Sequence, residues 1–277
     1  MMRNIFVFFL FFVLNVSAQK NIVVLHSNDC HSQIMPFSMN LTDKEKAGLG
    51  GFARRAVFVK NQRKENPDLL LFDSGDFSQG SSYYNLFKGD VEIGLMNMMG
   101  YDAVTIGNHE FDFGLENLSR LIRMAKFPVV CSNYDFSGTV LEGLVKPYVV
   151  IRRNGLKIGV FGLAPKLEGL VVRENYGDVK YLNPVETTRN VVRTLRDELK
   201  CDFVICLSHL GWKTTDSEPS DERLIPQTEG INLVLGGHTH SYVSPTEIVK
   251  NAKGKQIPVS QNGKSGMYIS RFDIHLK

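Results

Sequence analysis

Continuous apolar runs of strand length recur along the chain, and stretches with helical spacing lie between them. The runs Asn21–Ser27, Leu69–Ser74, Ala103–Ile106, Pro128–Ser132, Tyr148–Arg152, Lys157–Leu163, Phe203–Ser208, Asn232–Leu235 and Ile257–Ser260 are rich in Val, Ile, Leu and Phe. Most lack polar alternation, which marks strands covered on both faces and argues against a sheet with one wet side. Met267–Leu276 does alternate, and its more apolar face (Tyr268, Ser270, Phe272, Ile274, Leu276) is expected to point at the core. Helices are expected near Gly51–Glu65, Val91–Met99, Leu115–Lys126 and Pro184–Lys200. The last is the best bounded: Asn183 can cap it, Pro184 suits the first position, and Glu186 can reach back as in a capping box. Val185, Val192, Leu195 and Leu199 form its expected buried stripe. Alternating strands and helices predict an α/β architecture. With no internal repeat, low-complexity tract or linker, residues 19–277 read as one domain.

Ahead of this domain, Ile5 to Leu14 is unbroken apolar sequence behind Arg3, followed by Val16-Ser17-Ala18. Residues 1–18 read as a signal peptide, so the expected location is exported, periplasmic or extracellular. The apolar stretch has about ten residues where a bilayer crossing needs about twenty, so no membrane span is expected after signal removal. Lys and Arg (32) nearly balance Asp and Glu (29). They are also interspersed, as in Lys60-Asn61-Gln62-Arg63-Lys64-Glu65, so they read as solvated helix faces, and no nucleic-acid partner is expected. The four cysteines show no disulfide framework. Cys201 and Cys206 bracket a strand whose extended span of roughly 16 Å exceeds the ~7 Å Cα limit of a disulfide. A single bridge involving Cys30 or Cys131 stays open.

The chemistry lies at strand ends. His31, His109, His209, His238 and His240 each fall just past an expected strand, among Asp, Asn, Gly or Ser. Loops at one end of a parallel sheet converge in space even when distant in sequence. In order, the segments are Asp29-Cys30-His31, Gly75-Asp76, Gly107-Asn108-His109-Glu110, Ser208-His209 and Gly236-Gly237-His238-Thr239-His240. Carboxylate oxygen and imidazole nitrogen suit divalent ions such as Zn²⁺, Mn²⁺ or Fe²⁺. The spacings Asp-x-His and His-x-His point two ligands the same way from extended backbone, and Cys30 away. Gly48-Leu49-Gly50-Gly51 reads as a structural turn before a helix. Gly263-Lys264-Ser265 also reads as a turn, since Pro258 stands where a P-loop needs glycine.

With these motifs in this order the chain resembles the calcineurin-like metallophosphoesterases, and more narrowly the 5′-nucleotidase family. The narrower likeness rests on residues 27–31, on Ser74-Gly75-Asp76-Phe77-Ser78-Gln79-Gly80, and on Ile106-Gly107-Asn108-His109-Glu110-Phe111-Asp112-Phe113-Gly114. The resemblance implies a four-layer α/β/β/α sandwich carrying two divalent metal ions. It implies a first ion on Asp29, His31, Asp76 and His240, and a second on Asp76, Asn108, His209 and His238, with Asp76 bridging. A carboxylate suits that bridge, because paired catalytic ions stand roughly 3.5–4 Å apart. The same resemblance implies that His109, oriented by Asp112, stabilises the transition state or protonates the leaving oxygen. The implied activity is hydrolysis of phosphate monoesters, most of all nucleoside 5′-monophosphates, by a metal-activated hydroxide.

Full-length members of that family carry a second domain that grips the nucleoside, whereas this sequence ends at Lys277. The expectation is a catalytic subunit with a separate substrate-binding subunit, or a less selective phosphatase. A phosphodiesterase or cyclic-nucleotide hydrolase using the same centre is the rival among enzymes. A non-catalytic binding subunit is the rival from another class.

Overall fold

A computed structural model of the chain describes residues 20–214 and 219–276, apart from the side chains of residues 245 and 246. The expected signal peptide at residues 1–18 lies outside the described residues. Among the described residues no helix is long and apolar enough to cross a membrane.

The strands in chain order are β1 (Lys20–Ser27), β2 (Leu70–Asp73), β3 (Ala103–Thr105), β4 (Val129–Val130), β5 (Tyr134–Asp135), β6 (Tyr148–Arg153) and β7 (Leu156–Leu163). They continue with β8 (Lys180–Tyr181), β9 (Phe203–Ser208), β10 (Leu233–Gly236), β11 (Tyr242–Lys250), β12 (Gln256–Asn262) and β13 (Ser270–Leu276). The helices are α1 (Phe52–Glu65), α2 (Ser82–Phe87), α3 (Asp90–Met99), α4 (Gly114–Met124), α5 (Arg173–Tyr176), α6 (Pro184–Arg193) and α7 (Asp221–Leu224).

One sheet has the order β13-β1-β2-β3-β4, and a second has the order β11-β12-β10-β9-β7-β6. The inner strands run parallel, while β13, β11 and β6 join their sheets antiparallel. Between the sheets lies a dry layer with Val24, Leu70 and Phe72 from one side and Val160, Ile205 and Leu235 from the other. The outer face of the first sheet packs on helices α1, α3 and α4 through Phe52, Val59, Ile93, Met96, Leu118 and Leu121. The outer face of the second packs on α6 and α7 through Val191, Val192 and Leu224. This is the four-layer α/β/β/α sandwich. The two sheets approach closely at Gly162, whose carbonyl accepts from Ser132 N–H at 2.8 Å. A side chain there would overlap the Val130 carbonyl and the Thr105 hydroxyl.

The continuous apolar runs are strands buried throughout, as in β2, β9 and β10. In β13, Phe272, Ile274 and Leu276 do face the inner layer, but the strand starts at Ser270, and Ile269 packs on the other side. Strand β11 carries no continuous apolar run. It is an edge strand whose register shifts between Val243 and Glu247, where the sequence has Pro245, a residue that edges and bulges tolerate. Asn183 Oδ1 caps α6 by accepting from Val185 and Glu186 N–H at 2.9 and 3.1 Å. The expected helix through Lys200 loosens after Arg193 into a wider turn over Thr194–Glu198, closed by Leu199 N–H to Thr194 O. Arg196 is drawn there onto the Gly230 and Cys201 carbonyls. All four cysteines are buried and free.

Candidate metal centre

The parallel strands β1, β2, β3, β9 and β10 present their carboxyl ends to one seam between the sheets, and each expected ligand sits on the loop that follows. Asp29 and His31 follow β1, Asp76 follows β2, Asn108 and His109 follow β3, His209 follows β9, and His238 and His240 follow β10. The structure brings ligand atoms of Asp29, His31 and His240 within 4.8 Å of one another, and likewise those of Asp76, His209 and His238. Asp76, His31 and His109 form a third such set, so Asp76 stands between the other two. Asn108 Oδ1 is buried without a hydrogen-bond partner, as befits an oxygen that faces a cation. These His/Asp clusters are able to bind metal.

The backbone here is held in unfavourable shapes. Asp29, His31, Asp76, His238 and His240 all have left-handed φ, at 48°, 43°, 53°, 81° and 52°. Such conformations cost about 1–3 kcal/mol each outside glycine and persist where the surroundings over-determine them. The surroundings do so. Asp29 Oδ2 accepts from Asn28 Nδ2 at 2.6 Å and from His238 N–H at 2.9 Å, and its carbonyl accepts from Ser265 N–H at 2.7 Å. The Glu110 carboxylate ties two loops together, accepting from Gly107 and Asp76 N–H at 2.7 and 2.9 Å and from Ser78 N–H at 3.1 Å. Gly107 lies so close beneath Asp76 that any side chain would overlap its carboxylate.

Hydrogen bonds also set the imidazoles. His209 Nδ1 donates to Ser74 O at 2.6 Å, which leaves Nε2, 3.0 Å from Asp76 Oδ2, turned into the Asp76–His238 cluster and able to bind metal. Below it, buried His26 bonds Ser74 Oγ at 3.0 Å and Ser260 Oγ at 3.1 Å, joining the two sheets under the site. His31 Nε2 and His240 Nε2 approach to 2.8 Å, beside Asp29 Oδ1. Outside the ligand set, His109 Nδ1 donates to Asp112 Oδ2 at 3.0 Å, and Asp112's carbonyl accepts from Asn175 Nδ2. Cys30 turns away, its sulfur 2.7 Å from Arg55 Nη1.

Burial pushes His31 and His238 down to about 4, the neutral form that ligates metals. Burial pushes Asp29 up to about 7. Burial also opposes charge on Asp76, but the charge and hydrogen bond of His209, with His109 and His31 nearby, hold it below the usual carboxylate range. Burial disfavours charge on His209, yet Asp76 and Asp29 prevail and raise it to about 10. The two acids thus demand positive charge between them, the charge a divalent ion brings. His109 is raised: burial opposes its charge, while the Asp112 hydrogen bond and the Asp76 charge prevail.

Every ligand expected from the sequence reaches the seam. Glu110, Ser74, Asn28 and His26 were not assigned roles by sequence. Glu110, Asn28 and Ser74 fall inside the motifs that carry the resemblance, whereas His26 left no signal.

Fold and His/Asp clusters together are those of a phosphoesterase-type domain able to bind metal. The family model for calcineurin-like phosphoesterases matches residues 22–242, and the chain belongs to that family. It is 31% identical over 274 residues to a snake venom 5′-nucleotidase of Crotalus adamanteus, covering 91% of this chain and 45% of the relative. It is 31% identical to the 5′-nucleotidase of Rattus norvegicus, covering 91% and 46%. The structure resembles the 5′-nucleotidase precursor of Thermus thermophilus with a TM-score of 0.80 and 28% identity, over 92% of this chain and 54% of that one. The chain thus spans about half the length of the relatives it matches.

Proposed function

We propose that the protein is an exported hydrolase of phosphate monoesters, with nucleoside 5′-monophosphates as its main substrates. The observation that carries this reading is the pair of ligand triads with the Asp76 carboxylate between them. One divalent ion, Zn²⁺, Mn²⁺ or Fe²⁺, would be held by Asp29, His31, Asp76 and His240, and a second by Asp76, Asn108, His209 and His238. Bound ions of this kind acidify water toward neutral pH and neutralise phosphoryl oxygens. His109 turns Nε2 to the leaving oxygen, because Nδ1 is occupied by Asp112. It gives its proton to that oxygen as the ester P–O bond breaks and a water oxygen bonds to phosphorus. The names of the relatives favour nucleotides, and export is favoured by the apolar run within residues 1–18.

Phosphate release by the purified full chain in Mn²⁺ or Zn²⁺ tests this, with 5′-AMP, p-nitrophenyl phosphate and bis-p-nitrophenyl phosphate as substrates. The expected order puts 5′-AMP first. Preference for the diester would make the protein a phosphodiesterase, and metal binding without turnover a binding subunit. Turnover of p-nitrophenyl phosphate alone would place nucleoside selection on a separate substrate-binding subunit. His109→Ala is expected to lower 5′-AMP hydrolysis by about 10² to 10⁴, the range of a general acid. Its effect on p-nitrophenyl phosphate is expected to be far smaller, because that leaving group needs no proton.

A further inference from the structure

Two exposed tyrosines stand together beside the mouth of the metal centre. Tyr242 is 62% exposed and Tyr268 44% exposed, and their ring centroids are 4.7 Å apart at an interplanar angle of 48°. Large rings in contact with each other and open to solvent form an apolar patch, the kind of surface that marks a binding site.

Their place is fixed by the ligand loops. Tyr242 opens β11 two residues after His240, whose own side chain is 38% exposed at the mouth. Gly263 donates its N–H to Ser241 O at 2.9 Å, pinning the 263–266 turn beside the His238–His240 loop. A Cβ at Gly263 would lie 3.7 Å from the Tyr268 ring and 4.0 Å from the His240 carbonyl, so ring and ligand loop adjoin across one glycine. The same turn carries exposed Lys264, the residue after Gly263, on the side of the His240 loop. Metal ligands, a cation and a pair of aromatic faces therefore lie next to one another.

We propose that the Tyr242–Tyr268 pair is the platform for the planar base carried by the substrate's nucleoside leaving group, with Lys264 beside the phosphate. The proposal rests on the reading of the site as a nucleotide monoesterase. It assigns binding of the base to residues of this chain. Every base offers a π-face, so the pair favours nucleotides over sugar phosphates without choosing strongly among bases.

Two measurements test it. In the first, saturation-transfer NMR follows adenosine with the metal-free full chain, which needs no turnover. Saturation of the adenine protons is expected in the parent chain and in Tyr242→Phe/Tyr268→Phe, and its loss in Tyr242→Ala/Tyr268→Ala. In the second, kinetics in Mn²⁺ compare 5′-AMP with ribose 5-phosphate, which has the same leaving atom and no base. The double alanine variant is expected to raise KM for 5′-AMP about tenfold, as for a lost stacked base. Its kcat and its ribose 5-phosphate kinetics should stay unchanged. Absent saturation in the parent chain, or equal effects on both substrates, overturns the platform. Saturation that depends on the tyrosines in a chain that hydrolyses neither ester supports the platform and overturns the monoesterase reading.

Discussion

The two sheets feed the metal centre unequally. The loops of the first send the oxygen donors Asp29, Asp76 and Asn108 together with His31, whereas the loops of the second send the imidazoles His209, His238 and His240. The Asp76 and Asn108 loops are locked within their own sheet by Glu110, and the Asp29–His31 loop joins them through Asp29 N–H on Gly75 O and His31 N–H on Asp76 O. The imidazole loops are locked across the seam, His238 by its N–H on Asp29 and His209 by its Nδ1 on Ser74 O. One half of the site is therefore built locally, and the other is aimed by the first half. Damage to the first sheet's loops should misplace ligands on both sides, while damage behind the second should be milder.

The largest effect is expected at the shared carboxylate. Asp76→Asn should cost more than the roughly 100-fold that loss of a supporting residue costs, and calorimetric titration with Mn²⁺ should show both ions weakened. If one ion still bound with parent affinity, Asp76 would not bridge. Glu110→Gln comes next, because its amide cannot accept as a carboxylate does from the N–H groups of Gly107, Asp76 and Ser78. A loss of about 10–100-fold in metal affinity and turnover is expected, and unaltered affinity would deny it that role.

Gly162→Ala separates the sheets themselves. Overpacking there should cost about 1–3 kcal/mol, read as a lower Tm, with turnover falling in step only if the seam aims the imidazoles. The smallest effect lies behind the second sheet. Asp221, buried with Oδ1 on the Ser208 hydroxyl, is pushed up to about 7 by burial. A raised carboxyl contributes stability that is full below 3.8, falls as pH rises from there, and is gone once pH has passed about 7. Asp221→Asn should flatten the fall in Tm across that range, and an unchanged slope would assign it to other groups.

Much of this was legible in the sequence for one physical reason. A parallel strand covered on both faces must be apolar throughout, so β2, β7, β9 and β10 announce themselves. Edge strand β11 and the two-residue strands β5 and β8 obey no such demand and left no pattern. The clustered residues were legible because His and Asp recur after those strands. Their left-handed backbone was not, since Asp29, His31 and Asp76 adopt it under tertiary compulsion and no glycine marks it. The roles of Ser74 and His26 were invisible too, because each acts through partners far along the chain.

Strand β1 pairs with β2 on one side and with β13 on the other, and the Asp29 carbonyl is held by Ser265. During synthesis the first ligand loop therefore emerges early and waits, half-clamped, until the stretch around residues 262–276 leaves the ribosome. An assembly closed by such distant contacts folds slowly. An ion meeting a nascent chain would find Asp29 and His31 before His240, and the clamp on the Asp29 carbonyl closes only after Ser265 has emerged.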